Sequence, residues 1–505
     1  MQRQGKREKI DPWVSWARLG DLARACARSR YVFESSTAFA LFDHFRVPYR
    51  PVGKVDARGL EWLSAGSARL LWPGDGLLGS TGPEPYLVGS VPVFARLLPE
   101  GKVSQLIRSL PGSWRLDEPV RDSGGRVVGA LWRSEDGSAL VPFDPSEALT
   151  SFWTERYAEV GPRGWATRIS SVVREAYYHA RPLLPRDLQL RLRRTFSRVQ
   201  RKSRFPRWPV ETAVDDLFRL LFRIVGEVAG EPVPYVAAWP GESSWALVLT
   251  HDVERRVGYD GVDLLREIEL EEGYRSSWNF VPCNGYVVER MLLEQLRGEG
   301  FEIGVHGLFH DGRDLLPRTL PRRLPAIRAY AEHWQAVGFR SPATIRSPRL
   351  IPLLGFDYDS SYADTAPFEP QAGGCCTWLP YQLGATVELP ITLEQDHTLF
   401  DLLGHRDETL WIEKARIIRE RGGMALMLTH PDYAANPDLR SAYRGFLREF
   451  ADDDTAWKAL PRDVAAWWRR RAESSLERDG DEWHVVGPAA GEARVEFFAA
   501  DPVRV

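Results

Sequence analysis

The sequence predicts an α/β protein in which a parallel (β/α) barrel follows a separate α/β domain. From about residue 236, apolar segments of strand length alternate with helical segments, a pattern typical of βαβ units in a parallel sheet. The number of these strands favours a barrel over an open sheet. Residues before about 165 mix short helical and strand patterns without that regularity, so we predict a domain of their own.

With 505 residues the chain has room for about two to four domains. We divide it into an N-terminal α/β domain of unknown role (1–165), a basic helical connector (166–235), the barrel (236–475) and a C-terminal β-hairpin (476–505). The hairpin prediction rests on two alternating runs around a Gly/Pro turn in "EWHVVGPAAGEARVEFFA", 482–499.

Composition indicates a globular protein, with 44% apolar and 27% charged residues. A net charge of −3 gives no overall attraction to nucleic acid, so no nucleic-acid partner is expected. No apolar run approaches the roughly 18 residues of a membrane span, and the basic start lacks an apolar signal region. Two of the cysteines, Cys375 and Cys376, are adjacent and the other two isolated, which implies no disulfide framework. A cytoplasmic location is therefore expected.

The N-terminal segments supply short elements. The run "ALFDHFRVPYRPV" (40–52) predicts a helix, a turn and a strand, "ARLLWPGDG" (68–76) a second strand, and "GGRVVGALW" with "SALVPFDP" (124–145) a hairpin. The glycines of "GDGLLG" (74–79) fit the dinucleotide pattern, but "STGPEP" follows where a helix should begin. Without that helix N-terminus no phosphate site is predicted.

The connector carries a run of basic residues. A solvated helix face bridging two domains is the favoured interpretation, and a landing site for phosphates of a lipid-linked or anionic glycan is the alternative. The residues concerned are Arg186, Arg191, Arg193, Arg194, Arg198, Arg201, Lys202, Arg204 and Arg207.

The barrel strands are predicted from seven segments of the sequence. These are "WALVLTHDV" (245–253), "SSWNFVPC" (276–283), "FEIGVHG" (301–307), "GFRSP" (338–342), "FDYDSSY" (356–362), "TVELPIT" (386–392) and "GMALMLTH" (423–430). Helical segments between them include "GVDLLREIELEEG" (261–273), "GYVVERMLLEQLRGEG" (285–300) and "ETLWIEKARIIRERGG" (408–423).

Ionisable residues repeatedly follow these apolar strands. In a parallel barrel the loops after the strands converge on one pocket, so their side chains are expected to meet in an active site. The residues are His251, Asp252, Glu254, His306, His310, Arg340 and His430.

His306 and His310 lie four residues apart, a spacing that is also common in histidines without a metal. Asp252 and Glu254 are two apart on an extended segment, so both side chains face the same side. Two histidines and one carboxylate supply three ligands for a divalent ion such as zinc, while the other carboxylate accepts a proton from water. The pattern predicts a metal site.

Four short segments resemble the motifs of a known family. "LTHDVE", "VHGLFH", "GFRSP" and "LMLTHP" look like the first, second, third and fifth motifs of polysaccharide deacetylases, the NodB-homology domain of carbohydrate esterase family 4. The resemblance covers about residues 240–470. It implies a distorted (β/α) barrel that uses a divalent metal, zinc with cobalt or nickel as alternatives, to hydrolyse an N-acetyl group on an amino sugar.

Two longer runs are similar to a branch of that family associated with exopolysaccharide genes. They are "GFDYDSSYADTAPFEPQAGG" (355–374) and "VELPITLEQDHTLF" (387–400). The implied partner is an N-acetylated glycan, with a lipid-linked or anionic precursor as a further candidate.

The first two motifs imply the base and the metal ligands. The resemblance makes Asp252 the catalytic base and His306 and His310 metal ligands. The family's second aspartate would fall on Val253, which cannot bind a metal, so Glu254 is the substitute ligand and Asp252 the alternative. Gly307 stands where a hydroxyl residue is usual, which removes one hydrogen bond next to the ligands.

The third motif implies an arginine that orients the base, followed by a proline at the substrate. Both "GFRSPA" and "TIRSPR" fit, and we prefer Arg340 with Pro342 over Arg346, since "GFRSP" ends a predicted strand. The family's aromatic residue is Ala343 in one copy and Arg349 in the other, which leaves the oxyanion contact to a backbone N–H.

The fifth motif implies that Leu428 lines the acetyl pocket and that His430 is the general acid. Asp396 or Asp359 would keep that imidazole charged. Asp359 could equally be a turn residue, as could Asp364.

Trp278 and Trp378 could line a sugar cleft, although core positions are favoured. The predicted activity is metal-dependent amide hydrolysis on an amino sugar of a polysaccharide or its precursor. Two alternatives stay open. One is a C–N hydrolase of a small cyclic amide or ureide, and the other is a catalytically silent barrel that binds glycan, favoured by Val253.

Overall fold

Two large sheets organise the protein, as seen in a computed structural model that describes residues 33–79, 82–158 and 205–498. The first is nine-stranded, in the order β2-β1-β3-β4-β9-β8-β7-β5-β6. Its strands are β1 (Phe33–Ser35), β2 (Tyr49–Pro51), β3 (Leu60–Ala65), β4 (Ala68–Pro73), β5 (Glu84–Val88), β6 (Val91–Ala95), β7 (Trp114–Asp122), β8 (Val127–Ser134) and β9 (Ala139–Leu140). The predicted helix, turn and strand at 40–52 and the β8–β9 hairpin are confirmed.

Helices accompany this sheet: α1 (Ala40–Phe45), α2 (Asp75–Leu78), α3 (Glu100–Ser109), α4 (Pro145–Trp153) and a single turn at Arg156–Ala158. Helix α4 begins where the sequence provides a cap, because the Asp144 side chain accepts from the N–H groups of Ser146 and Glu147 and proline follows it.

Helix α5 (Ala213–Ala229) also packs on the first sheet, against β3, β4 and β6. Leu217, Leu221 and Val225 recur at helical spacing and are fully buried, so an apolar stripe holds the helix to the sheet. Of the basic residues singled out in the connector, only Arg207 is within the described residues. The others, from Arg186 to Arg204, lie outside them.

The second sheet is a curled one and contains all seven predicted barrel strands. They are β11 (Trp245–Val253), β12 (Ser277–Phe280), β13 (Glu302–Val305), β14 (Gly338–Phe339), β15 (Tyr358–Asp359), β17 (Thr386–Glu388) and β18 (Met424–Thr429). Their order is β17-β15-β14-β13-β12-β11-β18, with all pairs parallel. Strand β11 is buried along its whole length, as expected for the centre of a parallel sheet.

Two further strands extend the second sheet. β16 (Tyr381–Leu383) pairs antiparallel with β17, and β19 (Ala456–Ala459) pairs parallel with β11. The outer helices are α6 (Arg256–Asp260), α7 (Val262–Glu271), α8 (Arg290–Gly298), α9 (Leu320–His333), α10 (Ile351–Leu354), α11 (Thr409–Glu420), α12 (Pro437–Glu449) and α13 (Pro461–Ala472). Single turns occur at Pro342–Thr344 and Pro431–Tyr433, and a π-helix at His397–Leu403.

The barrel is distorted where its two ends approach. Thr392 and Leu393 both donate their N–H to the carbonyl of Leu426, at 3.1 and 3.0 Å, and the Thr392 hydroxyl donates to the carbonyl of Met424 at 2.7 Å. In the described residues these bonds join β18 to the segment after β17 without a strand ladder. The second sheet is therefore a curled half-barrel whose gap is bridged by one short segment.

The predicted C-terminal hairpin is wrong in its pairing. Strand β21 (Glu482–Val486) pairs with the preceding β20 (Ser475–Asp479), and β22 (Val495–Phe498) pairs instead with the distant β10 (Val233–Val236). The two alternating runs around the Gly/Pro turn thus belong to different sheets, because the partner of the second run lies far away in sequence.

A buried ion pair connects the segment after α4 to the second sheet. Arg346 Nη2 lies 2.6 Å from Glu155 Oε1, and the arginine side chain is completely buried. Breaking such a pair leaves an uncompensated charge in the interior.

We expect Glu155→Ala to lower the free energy of unfolding by about 3–5 kcal/mol, because Arg346 would stay buried without its partner. Urea denaturation followed by circular dichroism measures the change. Glu34→Ala is the matched control, since the pair of Glu34 with Arg50 is exposed and should contribute little. Equal stability of the two variants would show that the buried pair does not hold these parts together.

Candidate metal centre and its flanking groups

The candidate site lies at the carboxyl ends of the barrel strands. Asp252 is the penultimate residue of β11, His306 follows β13, Arg340 follows β14, and His430 follows β18. Because these strands are parallel neighbours, their carboxyl ends meet at one edge of the sheet. The structure thereby brings together the ionisable side chains that the strand ends predicted, except His251, for which the prediction is wrong.

Glu254, His306 and His310 form a candidate metal site. One ligand atom from each lies within 4.8 Å of the others, and Glu254 Oε1 is 2.9 Å from His310 Nε2. His306 Nε2 and His310 Nε2 are buried and make no aligned hydrogen bond within the described part of the chain. A divalent ion would satisfy both nitrogens, and two imidazoles with one carboxylate are a zinc-type donor set. The residues present therefore fit such an ion.

The hydrogen bond at Nδ1 of His306 leaves its Nε2 atom free to bind a metal. Its Nδ1 lies 3.1 Å from the Arg340 carbonyl, which can only accept, so Nδ1 carries the hydrogen and Nε2 presents its lone pair. Burial lowers the pKa of His306 to about 4, so the ring is neutral at physiological pH, as a ligand must be.

Gly307, between His306 and His310, occupies a position where the structure requires glycine. Its φ of +68° lies in the left-handed region, and a Cβ here would come within 2.4 Å of Asp314 Oδ2 and 2.5 Å of Pro342 Cγ. A hydroxyl residue therefore has no room at this position. Asp314, which is fully buried, instead accepts a hydrogen bond from the N–H of Leu308 at 3.0 Å and holds the loop.

Glu254 is fixed through its backbone. Its N–H donates to Asp432 Oδ2 at 3.0 Å, and its carbonyl accepts from Asn284 Nδ2 at 2.6 Å. Gly258 makes room for Asp432, because a Cβ at that position would lie 2.0 Å from Oδ2. Burial raises the pKa of Glu254, but the neighbouring histidines, His310 first, outweigh it and hold the pKa well below its usual range. The carboxylate is ionised and available as a ligand.

Asp252 occupies a different position from Glu254. Its Oδ1 accepts from Arg340 Nη1 at 3.0 Å and from Asn279 Nδ2 at 2.9 Å, while Oδ2 lies 3.7 Å from His306 Nδ1. Burial raises its pKa, but Arg340 and the histidines lower it below the usual value overall. Asp252 is thus an ionised carboxylate beside the candidate metal site.

The structure distinguishes the two candidate arginines. Arg340 is almost completely buried and also donates through Nε and Nη2 to the Ser360 carbonyl and hydroxyl, both at 2.7 Å. Arg346 is paired with Glu155 and does not contact Asp252 in the described residues.

His430 lies next to Glu254 of the candidate metal site. Its Nδ1 is 2.6 Å from Asp396 Oδ1, its backbone N–H donates to Asp396 Oδ2 at 2.7 Å, and its Nε2 is 3.8 Å from Glu254 Oε1. Burial lowers the pKa of His430, but Asp396 and the other carboxylates outweigh it and raise the pKa to about 10. The imidazole is therefore protonated at neutral pH. Asp359, the alternative partner, contacts Ser361 instead, and burial raises its pKa to about 6.

Four predicted residues remain: the two substrate-binding candidates, Leu428 and Pro342, and the two tryptophans. Leu428 is buried two residues before His430 on β18, on the same side of the strand. Pro342 contacts the Gly307 loop. The predicted core positions of Trp278 and Trp378 are confirmed, since both are buried.

His251 belongs to the opposite face of β11. Its Nδ1 lies 2.8 Å from the Thr429 hydroxyl and its Nε2 3.0 Å from Glu269 Oε1, in the layer between sheet and helices. Strand alternation explains this, because His251 and Asp252 must point to opposite sides.

Three supporting residues were missed by the sequence analysis: Asn279, Asp314 and Asp432. A signal existed for Asn279, an amide inside the otherwise apolar strand "SSWNFVPC". Asp314 and Asp432 lie in loops, where an aspartate is equally typical of a turn.

We expect the purified protein to hold one divalent ion per chain, bound by Glu254, His306 and His310. His306→Ala removes one of three ligands and should lose most of the metal, measured by elemental analysis after dialysis. His484→Ala, on the exposed hairpin, is the control and should keep it. Full metal content in the His306 variant would contradict the assignment.

Comparison with known proteins gives partial matches to solved structures. No family model and no curated protein matches the chain. A protein assigned as a polysaccharide deacetylase from Mycobacterium smegmatis is 20% identical with a TM-score of 0.39, over 48% of this chain and 98% of that one. Another from Pseudomonas aeruginosa PAO1 is 18% identical with a TM-score of 0.37, over 48% and 96%.

The Puue allantoinase is 17% identical with a TM-score of 0.36, over 46% of this chain and 93% of that one. Because these identities and TM-scores are low, a function for this chain rests on the geometry of its own site. Across residues 33–79, 82–158 and 205–498, no helix is both long and apolar enough to cross a bilayer.

Proposed function

We propose that this protein is a metal-dependent hydrolase that removes the N-acetyl group from an amino sugar of a polysaccharide or its precursor. One observation carries the proposal: an ionised carboxylate, Asp252, lies beside His306 of the candidate metal site, and a protonated imidazole, His430, lies beside Glu254 of the same site. Amide hydrolysis needs this combination, a base for the attacking water and an acid for the leaving nitrogen.

The metal would supply electrophilic chemistry. Glu254, His306 and His310 would hold a divalent ion, zinc by their donor set, and this ion would polarise a carbonyl and lower the pKa of water. All other steps belong to the chain itself.

Asp252 is the proposed base. Arg340 and Asn279 both occupy Oδ1, so Oδ2 is the oxygen that takes the proton from the attacking water. The salt bridge to Arg340 also fixes the carboxylate in one orientation, with Oδ2 3.7 Å from His306 Nδ1.

His430 is the proposed acid. Asp396 holds Nδ1, so the proton on Nε2 faces Glu254 and the cluster, where the leaving amine must be protonated. Leu428 lies beside it and is the proposed wall of the acetyl pocket. The turn at Pro342–Thr344 has left-handed φ values at Ala343 (56°) and Thr344 (50°), a strained geometry that makes its backbone the candidate donor to the oxyanion.

The substrate class rests on the resemblance of the four motifs to polysaccharide deacetylases. Action in the cytoplasm on a precursor before export, within exopolysaccharide synthesis, is part of the same proposal. A small cyclic amide or ureide is the second candidate, favoured by the burial of the site, since His306 and His430 are only 1% and 4% exposed. A silent glycan-binding barrel would need neither the base nor the acid.

The test uses zinc-loaded protein and two readouts: acetate release from a panel of N-acetylated mono- and oligosaccharides, and ring opening of allantoin, the cyclic ureide, to allantoate. Acetate release from the glycans supports the proposal, and turnover of allantoin alone supports the second candidate. Glycan affinity without turnover of either would establish the silent barrel and overturn the proposal.

A further inference from the structure

A second group of buried ionisable side chains lies close to the candidate site. Lys414 Nζ is 3.0 Å from Asp364 Oδ2 and 3.0 Å from Glu394 Oε1, and none of the three residues is more than 7% exposed. Trp378 Nε1 also donates to Asp364, at 3.0 Å. Two carboxylates share one ammonium, so the group carries an excess negative charge when all three are ionised. In agreement with this, burial and the charge of Glu394 raise the pKa of Asp364 to about 7 despite Lys414.

Two polar atoms of this region are buried without a hydrogen-bond partner among the described residues. They are Glu394 Oε2 and the hydroxyl of Thr365. Both residues line a partly open cavity of about 30 Å³. By the space that one water needs, this holds about two waters or one functional group of a ligand.

Aromatic rings border the same cavity. Trp208 and Phe368 line it, with ring centroids 5.2 Å apart in an edge arrangement. Glu394 precedes Asp396, the residue that holds His430, by two positions, so their Cα atoms are at most about 7 Å apart. The cavity is therefore adjacent to the proposed acid, and Trp208, which is partly exposed, offers a ring face on which a pyranose can pack, while Phe368 is buried behind it.

We propose that this cavity binds the protonated amino group of an unacetylated amino sugar unit, next to the unit that is being hydrolysed. The inference rests on the proposed function for the identity of the neighbouring unit. An ammonium donates to Glu394 Oε2 and Thr365 Oγ1 and balances the excess charge, whereas an acetamido group is neutral and carries extra atoms that this volume excludes. The enzyme would then prefer partly deacetylated chains.

Calorimetric titration of the zinc-loaded full chain with glucosamine tests the site, at a pH that protonates the amine. Glucose is the matched neutral probe and should give no binding. Glu394→Gln should weaken glucosamine binding by about 10- to 100-fold, the effect of losing a hydrogen bond to a charged group. Glu413→Gln, an exposed position on the helix that carries Lys414, is the control and should bind as the wild type does.

Further variants and control titrations test whether glucosamine binds in this cavity or elsewhere. His430→Ala should keep glucosamine affinity, which places the sugar outside the proposed catalytic pocket. Thr365→Val gives a second test if Glu394→Gln does not fold, and should also weaken binding. Equal binding of glucose, displacement of glucosamine by potassium chloride at equal concentration, or unchanged affinity in both variants would overturn the subsite.

Acetate release distinguishes failure of the subsite from failure of the proposed function. Wild-type protein should favour partly deacetylated over fully acetylated chitooligosaccharides, and Glu394→Gln should abolish that preference. Acetate release without glucosamine binding overturns the subsite and leaves the function standing. Glucosamine binding without acetate release supports the cavity as an amine site and overturns the function.

Discussion

Asp252→Asn is expected to slow amide hydrolysis by about 10²- to 10⁴-fold while the metal content stays unchanged. Asparagine has nearly the same shape and can still accept from Arg340 and Asn279 through Oδ1. It cannot take a proton from water at neutral pH. Steady-state rates of acetate release, normalised to bound metal, measure the effect.

Two control variants make the result specific. Glu254→Gln should behave oppositely and lose metal, because this carboxylate and not Asp252 joins the two histidines in the cluster. Glu269→Gln changes a buried carboxylate on the opposite face of β11 and should affect stability but not the rate per folded molecule. Loss of metal from Asp252→Asn would show that Asp252, and not Glu254, is the metal carboxylate. A variant that keeps a tenth of the activity would show that Asp252 is not the base.

Much of the site was predictable because strand periodicity is local. The apolar runs ended at polar residues, and alternation put Asp252 and Glu254 on one side of β11 with His251 and Val253 on the other. That spacing places Glu254 in the candidate metal site with His306 and His310, a position that Val253 could not serve. In the motif that this segment resembles, the carboxylate would fall on position 253; here it stands one residue later, on the face of β11 that carries Asp252.

The parts that could not be predicted depend on long-range pairing. Strand β22 finds its partner β10 more than two hundred residues earlier in the chain, and the Gly/Pro turn before it is compatible with a local hairpin as well. The predicted strand end favoured Arg340 over Arg346, but the buried partner of Arg346, Glu155, lies in another part of the chain. Local sequence patterns identify neither β10 nor Glu155 as a partner.

His430→Ala is expected to lower the rate on N-acetylated glycans by about 10²- to 10⁴-fold with metal content unchanged. The reason is that an amine leaves poorly unless it is protonated, and His430 is the protonated group beside the cluster. A phenyl acetate ester provides the sharper measurement, since phenolate leaves without a proton. On that ester the deficit of His430→Ala should largely disappear, whereas the deficit of Asp252→Asn should persist.

Asp396→Asn tests whether the charge on His430 matters as well as its position. Asparagine can still accept the Nδ1 hydrogen, so the ring stays oriented, but the carboxylate that outweighs burial is gone and the pKa of His430 should fall. A general acid works in its protonated form. The high-pH limb of the rate profile should therefore move to lower pH in this variant, and activity should recover as the pH is lowered. A uniform loss of rate at every pH would show that Asp396 acts on the position of the ring alone.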